Sequence, residues 1–289
     1  MIFLVLSILS SALFILSFKL FDKYKLQNIP VIICNYITAA LLGISLSQNN
    51  EVLYQQDKSW LVLAMILGAL FILSLNFVAK TTQRISVTVA GVANKMSLIM
   101  PVTISLLFYE NGVSPLKIIG LLIGIIALAL TSVSSSDTSK EKTLKSNWYL
   151  PMLTFITAGT IDALMNYVQR SIIRAESFTL FLSVVFGVAG ILGAAFSLSN
   201  KEVRKGMNTK NCIAGVILGC INFATMYFML NGLNASNFTP STYFSVNNIG
   251  VLLVSTLVAI LIFKETLNSK NKLGFICAIV AIIIIGYSK

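Results

Sequence analysis

The chain has 289 residues, of which 56% are hydrophobic and 11% are charged, and its mean hydropathy is +0.87. An average soluble domain is about one quarter charged, so this composition excludes an ordinary water-soluble protein. The formal net charge of +11 comes from Lys and Arg residues scattered between apolar runs, which excludes the continuous basic stripe of a nucleic-acid-binding protein.

Ten apolar segments follow one another along the chain, separated by short polar connections. A helix needs about 20 mainly apolar residues to cross a hydrocarbon core of about 30 Å. The segments lie near residues 2–18, 29–47, 60–79, 86–108, 116–134, 147–169, 177–198, 211–231, 240–263 and 272–287. We therefore predict an all-α membrane protein with ten transmembrane helices, inserted as a multi-pass protein in a bacterial-type inner membrane.

The most polar connection, residues 135–146, divides the chain into two units, 1–134 and 147–289. Each unit holds five predicted helices. Because five is an odd number, the second unit must enter the membrane in the opposite sense from the first. The sequence thus predicts two inverted five-helix repeats, a plan that recurs among secondary transporters that work by alternating access.

Two pairs of sequence motifs support the repeat. LGALFILSLNFVAK, from Leu67, parallels LGCINFATMYFML, from Leu218, and FYENGVSPLKIIG, from Phe108, parallels FKETLNSKNKLG, from Phe263. Both matches occur in the same order and at similar offsets in the two halves. Internal similarity of this kind indicates one structural unit used twice.

The second motif pair also carries a likeness to a known family. The residues that carry the likeness are Phe108-Tyr109-Glu110 with Gly120, Phe263-Lys264-Glu265 with Gly274, and, outside this motif pair, the loop Gly232-Leu233-Asn234-Ala235-Ser236. In this pattern the chain resembles the EamA family of the drug/metabolite transporter superfamily. The resemblance implies a ten-helix carrier whose termini are cytoplasmic. The family has Gly-Glu where this chain has Tyr-Glu and Lys-Glu, so no role is transferred to either carboxylate.

Basic residues are distributed unevenly between the two predicted membrane faces. Fifteen Lys and Arg residues lie in the connections after helices one, three, five, seven and nine, whereas five lie on the other face. Cytoplasmic loops are enriched in Lys and Arg, so the charge count predicts that both termini are outside the cytoplasm. This is the reverse of what the family resemblance implies, and we follow the charge count.

Two charged residues lie in the interior of predicted helices, away from their ends: Lys95 in the fourth and Asp162 in the sixth. A charge at a helix centre costs about 2.5–3.5 kcal/mol to insert, so such residues are candidates for function. One hypothesis is that Lys95 binds an anionic substrate group while Asp162 takes an amine or a coupling proton. The other is that the two form a structural ion pair, whose disruption would destabilise the fold.

Further polar residues recur in the same helices. Asn94 is adjacent to Lys95, and Asn166 lies one helical turn after Asp162, on the same face. The remaining candidates for a substrate- or proton-binding cavity are Asn76, Asn222, Tyr243, Asn247 and Asn248. The alternative for each amide is a hydrogen bond between helices, worth about 0.6 kcal/mol on average.

These observations predict a secondary transporter for a small polar metabolite such as an amino acid. The sequence has neither a Walker nor a Rossmann glycine motif, so a gradient or exchange would drive transport and no cofactor is expected. The predicted partners are the substrate, membrane lipid and protons, with no nucleic acid and with a monomer favoured. A flippase for a lipid carrier is the alternative, followed by a channel and an intramembrane enzyme. Without His or paired carboxylates the chain has no evident metal or catalytic site.

Overall fold

The computed structural model describes residues 2–46, 59–108, 115–132, 147–172, 178–235 and 240–287. Across these ranges the chain is helical and contains no strand, which confirms the all-α prediction. The described helices are α1 (Ile2–Lys23), α2 (Asn28–Leu46), α3 (Ser59–Arg84), α4 (Val87–Met96), α5 (Ile99–Phe108), α6 (Pro115–Ser132), α7 (Tyr149–Ser171), α8 (Phe178–Ser199), α9 (Lys201–Gly206), α10 (Thr209–Asn234), α11 (Pro240–Leu261) and α12 (Ser269–Tyr287).

Each predicted segment corresponds to a helix, except that the fourth is divided into α4 and α5 and the short α9 was not predicted. Within the described ranges, six helices are both long and apolar enough to cross a membrane: α1, α2, α3, α8, α10 and α12. Many of their large apolar side chains are exposed, as a lipid-facing surface requires. The predicted linker 135–146 and Glu110, the predicted counterpart of Glu265, lie outside the described residues.

The division of the fourth segment has a local cause. α4 ends at Met96 and α5 begins at Ile99, with a turn at Ser97 and Leu98. Pro101 follows four residues after Ser97; it has no N–H to donate to the Ser97 carbonyl, and its ring clashes with that carbonyl in a continuous helix. The Ser97 carbonyl instead accepts the Met100 N–H at 2.9 Å, a tighter turn that replaces the missing bond.

The helices pack in pairs that correspond when the two halves are exchanged. α2 packs on α8, and α6 packs on α12. The pair formed by α2 and α10 has a counterpart in α8 and α3, and the pair formed by α1 and α10 has one in α7 and α3. Likewise α1 contacts α11, while α7 contacts α4 and α5. α4 is central, because it packs against α1, α3, α6, α7, α11 and α12.

One ion pair and several hydrogen bonds join five helix connections at one end of the bundle. Lys19 Nζ lies 3.4 Å from Glu265 Oε1, Asn28 Nδ2 donates to Gln83 Oε1 at 2.8 Å, Arg84 Nη1 donates to Asn147 Oδ1 at 3.3 Å, and Lys210 Nζ donates to the Tyr24 carbonyl at 2.9 Å. We call this the basic end. It gathers the same connections that the charge count assigned to one face. α1 ends here, whereas α7 begins here.

Glu265 joins three elements at the basic end. Besides the ion pair with Lys19, its Oε1 accepts the backbone N–H of Val87 at 3.0 Å. Val87 is the first residue of α4, whose cap is Ser86, accepting from the N–H of Val89 at 3.0 Å. A carboxylate at a helix N-terminus satisfies an unpaired N–H and the positive end of the helix dipole. Glu265 thus anchors the central helix.

Candidate functional site

Lys95 lies in the last turn of α4, directly before the break and inside the bundle. Helices surround it, since α4 packs against six others. Its side chain is half-buried. A helix that ends inside a membrane protein leaves its last carbonyl groups without intrahelical partners, and such discontinuous helices commonly form the substrate sites of transporters. The break therefore places a cation at the end of a helix within the bundle.

Ser97, in the turn between α4 and α5, connects the break to α7. Its Oγ lies 2.7 Å from Oδ2 of Asp162 and 2.6 Å from the carbonyl oxygen of Asn94. A serine hydroxyl has one hydrogen and can donate it to one acceptor at a time. When Asp162 is protonated, its O–H can donate to Ser97 while Ser97 donates to Asn94. Both short contacts are then hydrogen bonds, so the geometry accommodates a proton on Asp162.

Lys95 and Asp162 interact electrostatically but do not form a close ion pair. Both residues are described, and no nitrogen–oxygen distance of 4.0 Å or less joins their charged groups. A structural ion pair with good geometry would bring these atoms into direct contact. The two charged groups are therefore not held together by a direct ion pair.

Asp162 lies on a different side of α7 from the large exposed apolar side chains of that helix. Met152, Ile156 and Tyr167 are 45%, 43% and 44% exposed and form the outer face of α7. At about 100° per residue, Asp162 lies about 120° around the helix from Ile156. Its side chain is exposed, and its carboxyl group contacts Ser97 at the break between α4 and α5. Asp162 therefore lies on the side of α7 that faces the break.

Asn166, one turn after Asp162, lies at a cavity of about 290 Å³ between α5 and α7. Thr160 and Tyr167 supply its other polar groups, and Pro101 and Met100 form its wall on the side of the helix break. The cavity is largely apolar and opens toward the exposed face of α7. Asn166 thus stands between the polar centre and the periphery of the bundle.

The other predicted residues are distributed over three places. Asn76 lines an apolar groove between α2, α3 and α8. The amide of Asn222 approaches that of Asn35 to within 3.2 Å at the contact of α10 with α2, as expected for an interhelical hydrogen bond. These two residues lie apart from Lys95 and Asp162, so the structure does not gather all of the predicted amides around one centre.

The predicted residues of α11 differ in their surroundings. Tyr243 is fully buried, and its hydroxyl faces Gly232 of α10 without a hydrogen-bond partner among the described residues. Asn247 is buried, and its side-chain oxygen also lacks a partner there. Asn248 is half-buried. Because α4 and α11 pack antiparallel, with Gly91 against Leu252, Asn248 lies at about the level of Lys95.

Ser97 was not among the predicted site residues, although it is the side chain that links Asp162 to the break. Serine is common in membrane helices, and nothing local distinguishes Ser97 from the others. The available signal was Pro101, four residues later, because a proline inside a helical pattern ends or kinks the helix before it. That signal would have directed attention to residues 97 and 98.

Comparisons with known proteins identify relatives along the whole chain. The family model described as sugar transport protein matches residues 2–288. An uncharacterised protein of Haemophilus influenzae is 25% identical over 294 residues, covering 98% of this chain and 97% of its own. The glucose uptake protein GlcU of Staphylococcus xylosus is 22% identical over 251 residues, covering 85% of this chain and 83% of its own.

A solved crystal structure of a protein is also similar, with 10% identity, 96% coverage of each chain and a TM-score of 0.56. At this identity the likeness concerns the fold alone. The family match, together with the apolar helices of the bundle, fits a multi-pass protein of the cell membrane. Because the family model covers nearly the entire sequence, this chain is a member of the sugar transport protein family.

Proposed function

We propose that the protein is a gradient-driven secondary transporter that moves a small polar metabolite of the sugar class across the cell membrane. The observation that carries this proposal is the polar centre at the break between α4 and α5, where Lys95, Ser97 and Asp162 come together inside an apolar bundle. Charged groups are costly inside a membrane, so a centre of this kind fits a binding site better than a packing element. The name of the relative GlcU supports a sugar.

The transport cycle in this proposal is alternating access between two inverted five-helix repeats, an arrangement like that of the EamA family. Two features support it. The packed helix pairs correspond when the halves are exchanged, and α7 starts at the end of the bundle where α1 finishes. Two similar halves in opposite orientations can rock about a central site, and α4 lies at that centre.

The residues of the centre suit a ligand with several hydroxyl groups. The ammonium of Lys95 can donate three hydrogen bonds, and the carboxyl of Asp162 can accept from hydroxyls when it is ionised. The hydroxyl of Ser97 can either donate or accept. Asp162 is also the candidate proton carrier, because its contact with Ser97 accommodates the protonated state.

An amino acid is a second candidate substrate. The opposite charges of Lys95 and Asp162 lie near each other without a close ion pair, and a zwitterion carries a matching carboxylate and ammonium. Sugars and amino acids therefore make different demands on the pair. A neutral sugar needs hydrogen bonds from these groups, whereas a zwitterion needs both charges.

Binding to the purified full-length protein separates the two candidates. A ligand at one hundred times its Kd adds about 2.7 kcal/mol to apparent stability, which thermal unfolding detects. We expect glucose or a related sugar to stabilise the protein and to be taken up by proteoliposomes. Stabilisation by amino acids alone would favour the second candidate, and stabilisation by neither would contradict the proposal.

The site itself is tested by removing both charges. Lys95→Met with Asp162→Asn should give a folded protein that neither binds nor transports the sugar. The matched control is Lys23→Met with Asp22→Asn, which removes the same two charges from exposed positions at the end of α1 and should leave transport unchanged. Normal uptake by the Lys95 and Asp162 double variant would exclude this centre as the site.

A further inference from the structure

A groove outside the polar centre has the features of a lipid site. It lies between α2, α3 and α8 and has a volume of about 320 Å³. Nine of its ten lining residues are apolar, and Asn76 is the polar one. Leu73, Leu192 and Phe196 at its rim are 47%, 44% and 50% exposed, so the groove opens sideways toward the surrounding membrane.

The length and position of the groove match one leaflet of a bilayer. Its α3 wall runs from Ala69 to Asn76, and Lys80 follows one turn later on the same face, since residues four apart in a helix are neighbours. From Ala69 to Lys80 the helix rises about 16 Å, at about 1.5 Å per residue. That is about half of a 30 Å hydrocarbon core. Because α3 finishes at the basic end, the groove occupies the leaflet on that side.

Polar groups without partners follow the groove toward the basic end. Neither the side-chain oxygen nor the amide nitrogen of Asn76 has a hydrogen-bond partner among the described residues. Lys80 makes neither a hydrogen bond nor an ion pair with a described residue. Lys201 and Arg204 are exposed on α9, which packs against α2 at this end. The apolar groove therefore leads to a positively charged surface at the basic end.

We propose that this groove binds one anionic phospholipid. An acyl chain lies along the apolar wall, Nδ2 of Asn76 donates to an ester carbonyl, and Lys80 pairs with the headgroup phosphate. Basic pockets between transmembrane helices on the cytoplasmic side recognise anionic headgroups, and the charge count places the basic end on that side. The inference does not depend on which metabolite is transported.

The test measures lipid selectivity of the full-length protein after delipidation in detergent. Phosphatidylglycerol should raise the thermal unfolding temperature more than phosphatidylcholine with the same acyl chains, and native mass spectrometry should show one retained phosphatidylglycerol. Lys80→Gln should abolish the difference between the two lipids. The matched control Lys23→Gln, at an exposed position of the same end, should preserve it.

A second variant tests the acyl part without touching charge. Ala69→Phe places a ring at the end of the groove that is farthest from the basic end. It should weaken phosphatidylglycerol binding at least several-fold. Equal stabilisation of the wild type by both lipids would overturn the inference. It would also be overturned if Lys23→Gln lost selectivity as Lys80→Gln does, or if inorganic phosphate alone reproduced the effect.

Discussion

Replacing Glu265 tests how the basic end is held together. This carboxylate is 8% exposed and pairs with Lys19, which is 22% exposed, at 3.4 Å. The same oxygen accepts the N–H of Val87, at the start of α4, at 3.0 Å. Glu265→Gln keeps an acceptor for Val87 and removes the charge, whereas Glu265→Ala removes both interactions.

The magnitudes follow from these contacts. A hydrogen bond to a charged group contributes about 1.5–3 kcal/mol, and removing one member of a buried ion pair costs about 3–5 kcal/mol. Because Lys19 is partly exposed and can be rehydrated, we expect the lower part of that range. Glu265→Ala should destabilise the protein by about 3 kcal/mol, and Glu265→Gln by about 1–2 kcal/mol.

Thermal unfolding of the purified variants in detergent measures this series. The expected order of unfolding temperature is wild type, then Glu265→Gln, then Glu265→Ala. Adding Lys19→Met to Glu265→Gln should cost less than the two single changes together, because neither charge then remains without its partner. Wild-type stability in both Glu265 variants, or strict additivity in the double variant, would refute the reasoning.

Two further predictions concern backbone packing. Pro101→Ala restores an N–H for the Ser97 carbonyl and removes the steric cause of the break, so we expect equal or higher thermal stability with much reduced uptake; full uptake would show that the break is unnecessary. Gly215→Ala should destabilise the protein by about 1–3 kcal/mol or more, because the new Cβ would lie 2.6 Å from the backbone oxygen of Val31. Gly187→Ala is its control, since its Cβ meets only Ala40, at 3.9 Å, and similar unfolding temperatures for both would contradict the packing argument.

The helices could be predicted because the membrane sets their length and composition. Runs of about twenty apolar residues have few alternatives to a helix in lipid, where every backbone group must be satisfied locally. The exception was α9, whose signal was Asn200, a capping residue that accepts the N–H groups of Glu202 and Val203. A six-residue surface helix lies below the length that a search for spanning segments detects.

The centre of the site was predicted in part. Lys95 and Asp162 were identified because an ionisable residue in an apolar run is conspicuous in any sequence. Their connection through Ser97 depends on how α7 packs against the break, and no spacing along the chain encodes that packing. Asn76 and Asn222 show the same limit, since only the neighbouring helices decide whether an amide faces a cavity, a groove or another amide.

If Asp162 belongs to the substrate site, water must reach its position, and the labelling of an introduced thiol measures this access. In a variant with Cys34, Cys212, Cys220 and Cys277 replaced by Ser, Asp162→Cys and Ile156→Cys are introduced separately and exposed to a hydrophilic, membrane-impermeant thiol reagent. We predict modification at position 162 and none at position 156 on the outer face of α7. If position 162 is not modified, whether or not position 156 reacts, water does not reach Asp162. That result would exclude Asp162 from the substrate site.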